Sequence, residues 1–196
     1  MGYAVAEAAA RRGAKVILIT GPTSLETPEG VERIDVRTAE EMLRAVQARF
    51  PAASIGVFAA AVADYRPAEL AATKIKRKNE ALTIRLEPNP DILATMAREK
   101  GDRLVVGFAA ETDHVAENAR KKLTQKNADL IVANDVNAEG AGFDVDTNIV
   151  TIFSRDARDL PLPRMTKAEA AQRILDEVLR LRGALRSKPA SHRAGD

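Results

Sequence analysis

The chain of 196 residues contains no cysteine and no tryptophan, it has only two histidines, and aromatic residues make up 4% of it. Without cysteine it has no disulfide, no thiolate nucleophile and no cysteine-based zinc or iron–sulfur site. One of the histidines, His192, lies in a C-terminal segment of simple composition, which leaves His114 alone in the body of the chain. A Ser-His-Asp triad and a multi-histidine metal site are therefore nearly excluded. Any chemistry must rely on carboxylates, lysines, amides and the backbone.

Long apolar runs and a strong excess of one charge are also missing. No run approaches the roughly 20 apolar residues needed to span a bilayer, so we expect a soluble, cytoplasmic protein without a membrane partner. The net charge of +2 comes from residues 180–196, which hold five basic residues and one acid, whereas residues 1–179 hold 25 basic and 27 acidic residues. The body of the chain is therefore not basic, which argues against nucleic acid as a partner.

The composition is typical of a globular domain of this length, with 45% apolar and 30% charged residues. Buried-type strands alternate with segments of helical pattern, and this alternation predicts an α/β fold with a parallel sheet and helices on both faces. Thr38 with Glu41, and Thr166 with Glu169, have the spacing of capping boxes. Strands are predicted at 15–20, 31–36, 54–61, 82–87, 103–109, 129–133 and 148–154, and helices at 2–12, 38–49, 90–100, 115–126 and 166–181.

Three of the predicted strands end in unusual residues. Residues 59–66 (AAAVADYR), 107–112 (GFAAET) and 133–135 (AND) each follow a buried-type strand. In open α/β sheets, ligands bind beyond the carboxyl ends of the strands. We therefore expect the functional site at the edge of the sheet where these three ends meet.

Residues near these ends each have a functional and a structural interpretation. Asp64 is suited to a metal–nucleotide complex or a ribose hydroxyl, but equally to a turn. The basic residues of 74–78 suit polyphosphate neutralisation, although such clusters are usually solvated surface. Phe108 is suited to stacking on a base, with core packing favoured by frequency. Lys122 and Lys126 share a helix face and could both reach a triphosphate, but exposed helical lysines are common.

The segment Asn89-Pro90-Asp91 leaves backbone N–H groups free at the start of a predicted helix. Such groups bind anions, but simple capping by Asn89, with Pro90 as the first helical residue, is the favoured interpretation. Neither G-x-G-x-x-G nor G-x-x-x-x-G-K-[ST] occurs, so the usual dinucleotide-binding and P-loop patterns do not apply.

A series of motifs occurs in a fixed order along the chain. They are G-Y-A-V-A-E-A-A-A-R-R-G-A-K-V (2–16), G-P-T-S-L (21–25), A-A-V-A-D-Y-R-P (60–67), K-I-K-R (74–77), N-P-D-I-L (89–93), V-G-F-A-A-E-T (106–112) and K-x-x-x-K before D-L-I-V-A-N-D (122–135). Together they closely resemble bacterial phosphopantothenate-cysteine ligase, the synthetase half of the bifunctional coenzyme A biosynthesis flavoprotein. The resemblance covers residues 2 to about 181, so we assign 1–182 to this ligase domain and 183–196 to a basic, disordered tail.

The resemblance implies a Rossmann-like fold, a homodimer and a two-step reaction that uses CTP and Mg²⁺. In it, 4'-phosphopantothenate forms an acyl-cytidylate, and L-cysteine then displaces CMP. The choice of CTP over ATP rests on the resemblance alone. The implied roles are Lys74 as the catalytic lysine, Asp64 as the nucleotide-site aspartate near the metal, Lys122 and Lys126 as triphosphate ligands, and Phe58, Ala59, Ala60, Asn89, Pro90, Asp91, Ile92 and Phe108 as the lining of the cytidine pocket.

The chain departs from the family pattern at its start. Family members begin this domain with a strand and a Gly/Ser-rich loop bearing an asparagine, which runs through S-S-G-K-M-G into the first helix, and Met1-Gly2 coincides with the end of that pattern. We therefore expect the first strand to be missing here, as is the FMN-containing decarboxylase half to which the domain is normally fused. We also expect an exposed sheet position and weak nucleotide binding or slow turnover.

Two other functions are weighed against this one. An NAD(P)-dependent Rossmann-fold oxidoreductase would leave Lys74, Lys122 and Lys126 without a role. A nucleic-acid-binding module would rest on the basic tail and the K-I-K-R cluster at 74–77.

Overall fold

The computed structural model describes residues 1–69, 71–77, 79, 81–111, 113–135 and 147–186. Its helices and strands are, in chain order, α1 (Gly2–Arg11), β1 (Val16–Thr20), β2 (Val31–Asp35), α2 (Ala39–Arg49), a 3₁₀ turn (Phe50–Ala52), β3 (Ile55–Phe58), β4 (Tyr65–Pro67), β5 (Leu86–Pro88), α3 (Ile92–Arg98), β6 (Leu104–Glu111), α4 (Val115–Gln125), β7 (Leu130–Asp135), β8 (Thr147–Asn148), β9 (Val150–Ser154), β10 (Asp159–Pro161), β11 (Met165–Thr166) and α5 (Lys167–Arg186). No helix among these residues has the length and apolar character needed to cross a membrane.

The central sheet has five strands in the order β10-β9-β7-β6-β3. The strands β3, β6 and β7 are parallel, as predicted, but β9 runs antiparallel to β7, and β10 antiparallel to β9. The predicted parallel sheet is therefore confirmed for β3, β6 and β7, and the antiparallel β9 and β10 make the whole sheet mixed. Antiparallel neighbours need no crossover helix, and the sequence that joins β7 to β8 has the Gly, Asn and Asp content of a loop.

Helices cover both faces of this sheet, as the sequence predicts. Along β6, the side chains of Leu104 and Val106 join a core with residues of α1 and α5, whereas Val105 and Ala109 join a second core with residues of α3 and α4. Side chains of α2 also pack against the second core. This alternation follows from the two-residue period of a strand, and it explains why six of the eight residues of β6 are buried, all but Phe108 and Ala110.

The strands β1 and β2 form a separate parallel pair. Residues 16–19 of β1 are only half-buried, so the prediction that this segment is covered on both faces is wrong. Among the described strands, β1 pairs only with β2, and β3 pairs only with β6. Within the described residues the edge of β3 that faces away from β6 has no paired strand, although all four residues of β3 are half-buried.

Both predicted capping boxes are present. Thr38 Oγ1 accepts a hydrogen bond from Glu41 N at 3.1 Å, and Glu41 Oε2 accepts one from Thr38 N at 3.3 Å. The same reciprocal bonds join Thr166 and Glu169, at 3.2 and 2.9 Å. Each box satisfies backbone donors that the first turn leaves free, so these local patterns specify where α2 and α5 begin.

Two helix ends differ from the predictions. Asp91, and not Asn89, caps α3, because its carboxylate accepts a hydrogen bond from Ala94 N at 2.8 Å. The last helix continues to Arg186 instead of ending near 181. The expected tail therefore overlaps α5 at its start, and residues 187–196 lie outside the described residues.

Candidate functional site at the carboxyl ends of three parallel strands

The three strand ends singled out in the sequence lie at the same edge of the sheet. β6 is paired in parallel with β3 on one side and with β7 on the other, with Phe58 opposite Gly107 and Ala110 opposite Asn134. The start of α1 also reaches this edge, since a Cβ added at Gly2 would lie 3.5 Å from Ala59 Cβ. The tertiary structure thus brings the ends of β3, β6 and β7 and the start of α1 to one edge of the sheet, which is the edge where open α/β sheets bind ligands.

The aromatic residues expected in the pocket are both part of the packing. The ring of Phe58 makes an edge-to-face contact with Phe50, with centroids 6.3 Å apart, in the core on the α2 and α3 side. Phe108 is half-buried and packs against the core on the opposite side. Phe58 is half-buried as well, and Ala59 and Ala60, which follow it at the strand end, are half-buried and exposed, respectively.

Asn89 joins the loop after β3 to the start of α3. Its backbone N donates to Asp64 O at 2.8 Å, and its side-chain Nδ2 donates to Ala63 O at 2.9 Å. Arg66 Nη1 donates to Asn89 Oδ1 at 3.3 Å, and Arg66 Nη2 forms an ion pair with Glu40 at 3.0 Å. The amide of Asn89 is therefore used to hold the loop in place, while the carboxylate of Asp64 is exposed to solvent.

Lys126 is held at the start of α3 by Asp91, with which it forms an ion pair. Burial of the Asp91 carboxyl opposes its ionisation, but hydrogen bonds from Lys126 and from the backbone N–H of Ala94 outweigh that effect and hold its pKa below the usual value. Asp91 thus caps α3 and positions a lysine of α4 in the same conformation. Ile92, the next residue, is buried in the core, so its side chain faces away from this edge.

Lys122 is held by a carboxylate to which the sequence analysis assigned no role. Its Nζ lies 2.7 Å from Oε1 of Glu111, which is the last residue of β6 and is buried. The other carboxylate oxygen of Glu111 accepts a hydrogen bond from Asn118 Nδ2 at 3.2 Å. The signal in the sequence was a lone acid at the end of the otherwise apolar run L-V-V-G-F-A-A-E, and a buried acid in that position requires a partner.

Lys74 is not brought into contact with these lysines. It lies in the long connection between β4 and β5, where Lys76 and Arg77 are exposed with it, and Lys78 lies outside the described residues. Within the described part of the chain, Lys74 makes no hydrogen bond or ion pair. Thr112, the last residue of the strand-end motif 107–112, also lies outside it.

An open groove of ≈ 490 Å³ adjoins the site between α2 and the base of the β4–β5 hairpin. It shares Asn89 and Pro90 with the expected cytidine pocket. Its remaining lining residues are Glu40, Leu43, Arg44, Gln47, Arg66 and Pro88. The mixture of apolar surface, amides and both charges suits a small polar ligand.

The described residues contain no group of three His, Asp or Glu side chains that could form a metal cage. Mg²⁺ usually keeps several waters and is held by one or two carboxylates together with substrate phosphates. The exposed carboxylate of Asp64 fits that mode, in which the metal arrives with a nucleotide.

Comparison with known proteins agrees with the motifs. The profile of the DNA/pantothenate metabolism flavoprotein C-terminal domain matches residues 1–181. The coenzyme A biosynthesis bifunctional protein CoaBC of Bacillus subtilis is 48% identical over 182 residues, and that of Escherichia coli K12 is 49% identical over 183 residues. These matches cover 92% and 91% of this chain but 45% of each relative, so the chain spans a little under half of their length.

The crystal structure of the C-terminal domain of a coenzyme A biosynthesis bifunctional protein CoaBC has a TM-score of 0.78 and 40% identity, and the match covers 95% of this chain and 83% of that one. This similarity confirms the predicted Rossmann-like α/β fold. The resemblance inferred from the ordered motifs is confirmed as well. The chain therefore belongs to the family of the DNA/pantothenate metabolism flavoprotein C-terminal domain.

Proposed function

We propose that this chain acts in coenzyme A biosynthesis and ligates L-cysteine to 4'-phosphopantothenate with CTP. The observation that carries the proposal is the placement of two lysines of one helix face: Lys122 is held by Glu111 at the carboxyl end of β6, and Lys126 by Asp91 at the start of α3. Cations at this edge suit a polyphosphate. Family membership supplies the substrate class.

The proposed reaction has two steps. The carboxylate of 4'-phosphopantothenate attacks the α-phosphorus of CTP, the bond to the β-phosphate oxygen breaks, and pyrophosphate leaves with that oxygen. The amine of cysteine then attacks the acyl carbon of the acyl-cytidylate, CMP leaves, and the nitrogen loses a proton as the amide forms. Such chemistry depends on positioning and charge neutralisation more than on a nucleophilic side chain, which a chain without cysteine can provide.

Each residue of the site has a role in this proposal. Lys122 and Lys126 bind the triphosphate, and Lys74 stabilises negative charge on the phosphates and on the intermediate. Asp64 holds Mg²⁺, which would supply further charge neutralisation at the phosphates. The loop residues 58–60, the segment 89–92 and the half-buried ring of Phe108 surround the cytidine.

The experiment is to incubate the chain with CTP, Mg²⁺, 4'-phosphopantothenate and cysteine, and to measure pyrophosphate and phosphopantothenoylcysteine. We expect pyrophosphate from CTP and 4'-phosphopantothenate without cysteine, limited to about one equivalent per site, and phosphopantothenoylcysteine only when cysteine is present as well. The assay is run on this chain and on an extended form, which adds the segment that precedes the matched region in the relatives. We expect the extended form to make product faster. If the extended form makes no CTP-dependent product, and NADPH binds where CTP does not, the oxidoreductase is the better assignment.

We also propose that the chain is a homodimer, normally fused to an FMN-containing phosphopantothenoylcysteine decarboxylase. The support for the dimer is a set of large apolar side chains that are exposed on and around the β4–β5 hairpin: Tyr65, Ile75, Leu82, Ile84 and Leu86. Large exposed apolar side chains concentrated in one segment of a chain favour an interaction site.

The dimer is tested by Leu82→Glu, which places a charge on the hairpin surface. We expect this variant to sediment as a monomer at concentrations where the unmodified chain sediments as a dimer. Leu25→Glu is the matched control, since Leu25 is also exposed but lies between β1 and β2, and it should leave the mass unchanged. A dimer that survives Leu82→Glu would place the interface elsewhere.

A further inference from the structure

Glu111 is a buried carboxylate at the end of a central parallel strand. The residue is 9% exposed, and the preceding residues of β6 are all apolar or glycine. A charge removed from water in this way destabilises the fold unless it is paired and hydrogen-bonded. An apolar residue at the end of the strand would avoid the free-energy cost of burying a charge, so the presence of an acid requires an explanation.

Within the described part of the chain, both partners of the Glu111 carboxylate come from α4. One carboxylate oxygen lies 2.7 Å from Lys122 Nζ, and the other accepts a hydrogen bond from Asn118 Nδ2. Asn118 Nδ2 also donates to Asp113 O at 3.1 Å, in the segment that leads into the helix. The side chain of Glu111 is therefore fixed between the strand and the helix that follows it.

The partner lysine is held but not enclosed. The side chain of Lys122 is 42% exposed, whereas that of Glu111 is 10% exposed. A free lysine loses considerable rotamer entropy when it binds a ligand, and a lysine that is already oriented loses less. The arrangement thus presents an ordered ammonium group at the edge where β6 and β7 end.

We infer that Glu111 is a positioning residue, which orients Lys122 towards the phosphoryl groups of a nucleoside triphosphate at the carboxyl ends of β6 and β7. The inference rests on the proposed function, because it takes the ligand to be CTP. It adds a residue with an indirect role, since Glu111 acts through the lysine and not on the ligand itself.

The variant Glu111→Gln distinguishes two possible effects of Glu111 on CTP affinity, because positioning of Lys122 and simple charge repulsion predict changes in opposite directions. Loss of a negative charge near an anionic ligand would strengthen binding if repulsion were the only effect. If Glu111 orients Lys122, binding of CTP should instead weaken by about three- to tenfold. The KM for CTP should rise to the same extent, while kcat stays within about threefold, because the lost interaction concerns binding.

The double variant tests whether Glu111 acts through Lys122. Lys122→Gln alone should weaken CTP binding by about ten- to a hundredfold and lower the melting temperature, because Glu111 is left buried without its cation. Adding Glu111→Gln to Lys122→Gln should not weaken CTP binding further, and should leave it unchanged or strengthen it, because only the repulsion between Glu111 and the ligand is then removed; the melting temperature should rise again. Additive effects of the two substitutions on affinity would overturn the inference.

Titration calorimetry of the 196-residue chain with CTP and Mg²⁺ measures these affinities. Asp159→Asn is the matched control, since it breaks the ion pair of Arg120 on the same helix and should leave CTP affinity unchanged. If the unmodified chain and its extended form fail to bind CTP, the proposed function itself is wrong. If CTP binds and Glu111→Gln binds it equally well or more tightly, the proposed function stands and the positioning role is rejected.

Discussion

Replacing Lys74 with glutamine is expected to slow CTP-dependent formation of phosphopantothenoylcysteine by about a hundred- to a thousandfold, the usual effect of removing one group that stabilises developing negative charge. Lys74 is exposed and makes no hydrogen bond or ion pair within the described part of the chain. The substitution should therefore leave the fold intact. The measurement is the initial rate of product formation, made with the N-terminally extended form so that activity is well above background.

Lys76→Gln provides the control for this variant. Lys76 lies two residues away in the same exposed connection, and its substitution removes the same charge. We expect the Lys76 variant to keep its rate within about threefold, because an exposed charge that does not contact the ligand is screened by solvent. Melting curves of both variants should match that of the unmodified chain. A rate for Lys74→Gln equal to that of Lys76→Gln would refute the role assigned to Lys74.

Asp129→Ala is expected to have the largest effect on stability, a loss of about 3–5 kcal/mol in the free energy of unfolding. Asp129 is 4% exposed, and its Oδ1 lies 2.6 Å from Nζ of the buried Lys100. Its other oxygen accepts a hydrogen bond from Val105 N at 2.9 Å. The substitution leaves an ammonium group buried without its carboxylate, although Asn127 O still accepts from it at 2.7 Å, and it leaves a backbone N–H of β6 without an acceptor.

Urea denaturation followed by circular dichroism measures this loss. Asp176→Ala is the control, because Asp176 pairs with Arg12 at 2.9 Å but is largely exposed, and such surface pairs contribute about 0–1 kcal/mol. Since Val105 lies near the start of β6 and the site lies at its end, CTP affinity of Asp129→Ala should be unchanged under conditions where the variant is folded. A loss below about 1 kcal/mol would mean that this buried ion pair contributes no more than a surface one.

The meeting of the three strand ends at one edge of the sheet was predictable, because it depends on the order of strands along the chain. Each motif-bearing strand end directly follows a buried-type strand, and parallel strands end at a common edge. The predicted capping of α3 by Asn89 was wrong for a tertiary reason. The amide of Asn89 is hydrogen-bonded to Ala63 O, a residue far away along the chain, which leaves Asp91 to cap the helix.

The pairing of Glu111 with Lys122 could not be predicted from spacing. Both residues belong to motifs that were recognised in the sequence, but the contact depends on how α4 lies against β6. The same holds for Asp91 and Lys126, whose pairing joins two helices. The partners of such charged side chains can be identified only from the packed structure, because the two residues of each pair lie on different helices or strands.

The sequence by itself determined the five helices and the strands β1, β2, β3, β6, β7 and β9, the capping boxes at Thr38 and Thr166, the absence of cysteine chemistry, and the family, but it missed β4, β10 and β11 and placed β5 too early. These features follow from periodicity, hydrogen-bonding patterns between near neighbours and residue chemistry, all of which are local. The tertiary structure alone decided the antiparallel direction of β9 and β10, the separation of β1 and β2 from the central sheet, and the carboxylates that hold the two lysines. These features depend on contacts between segments distant in the chain, whose energies are set by packing and burial and not by local pattern.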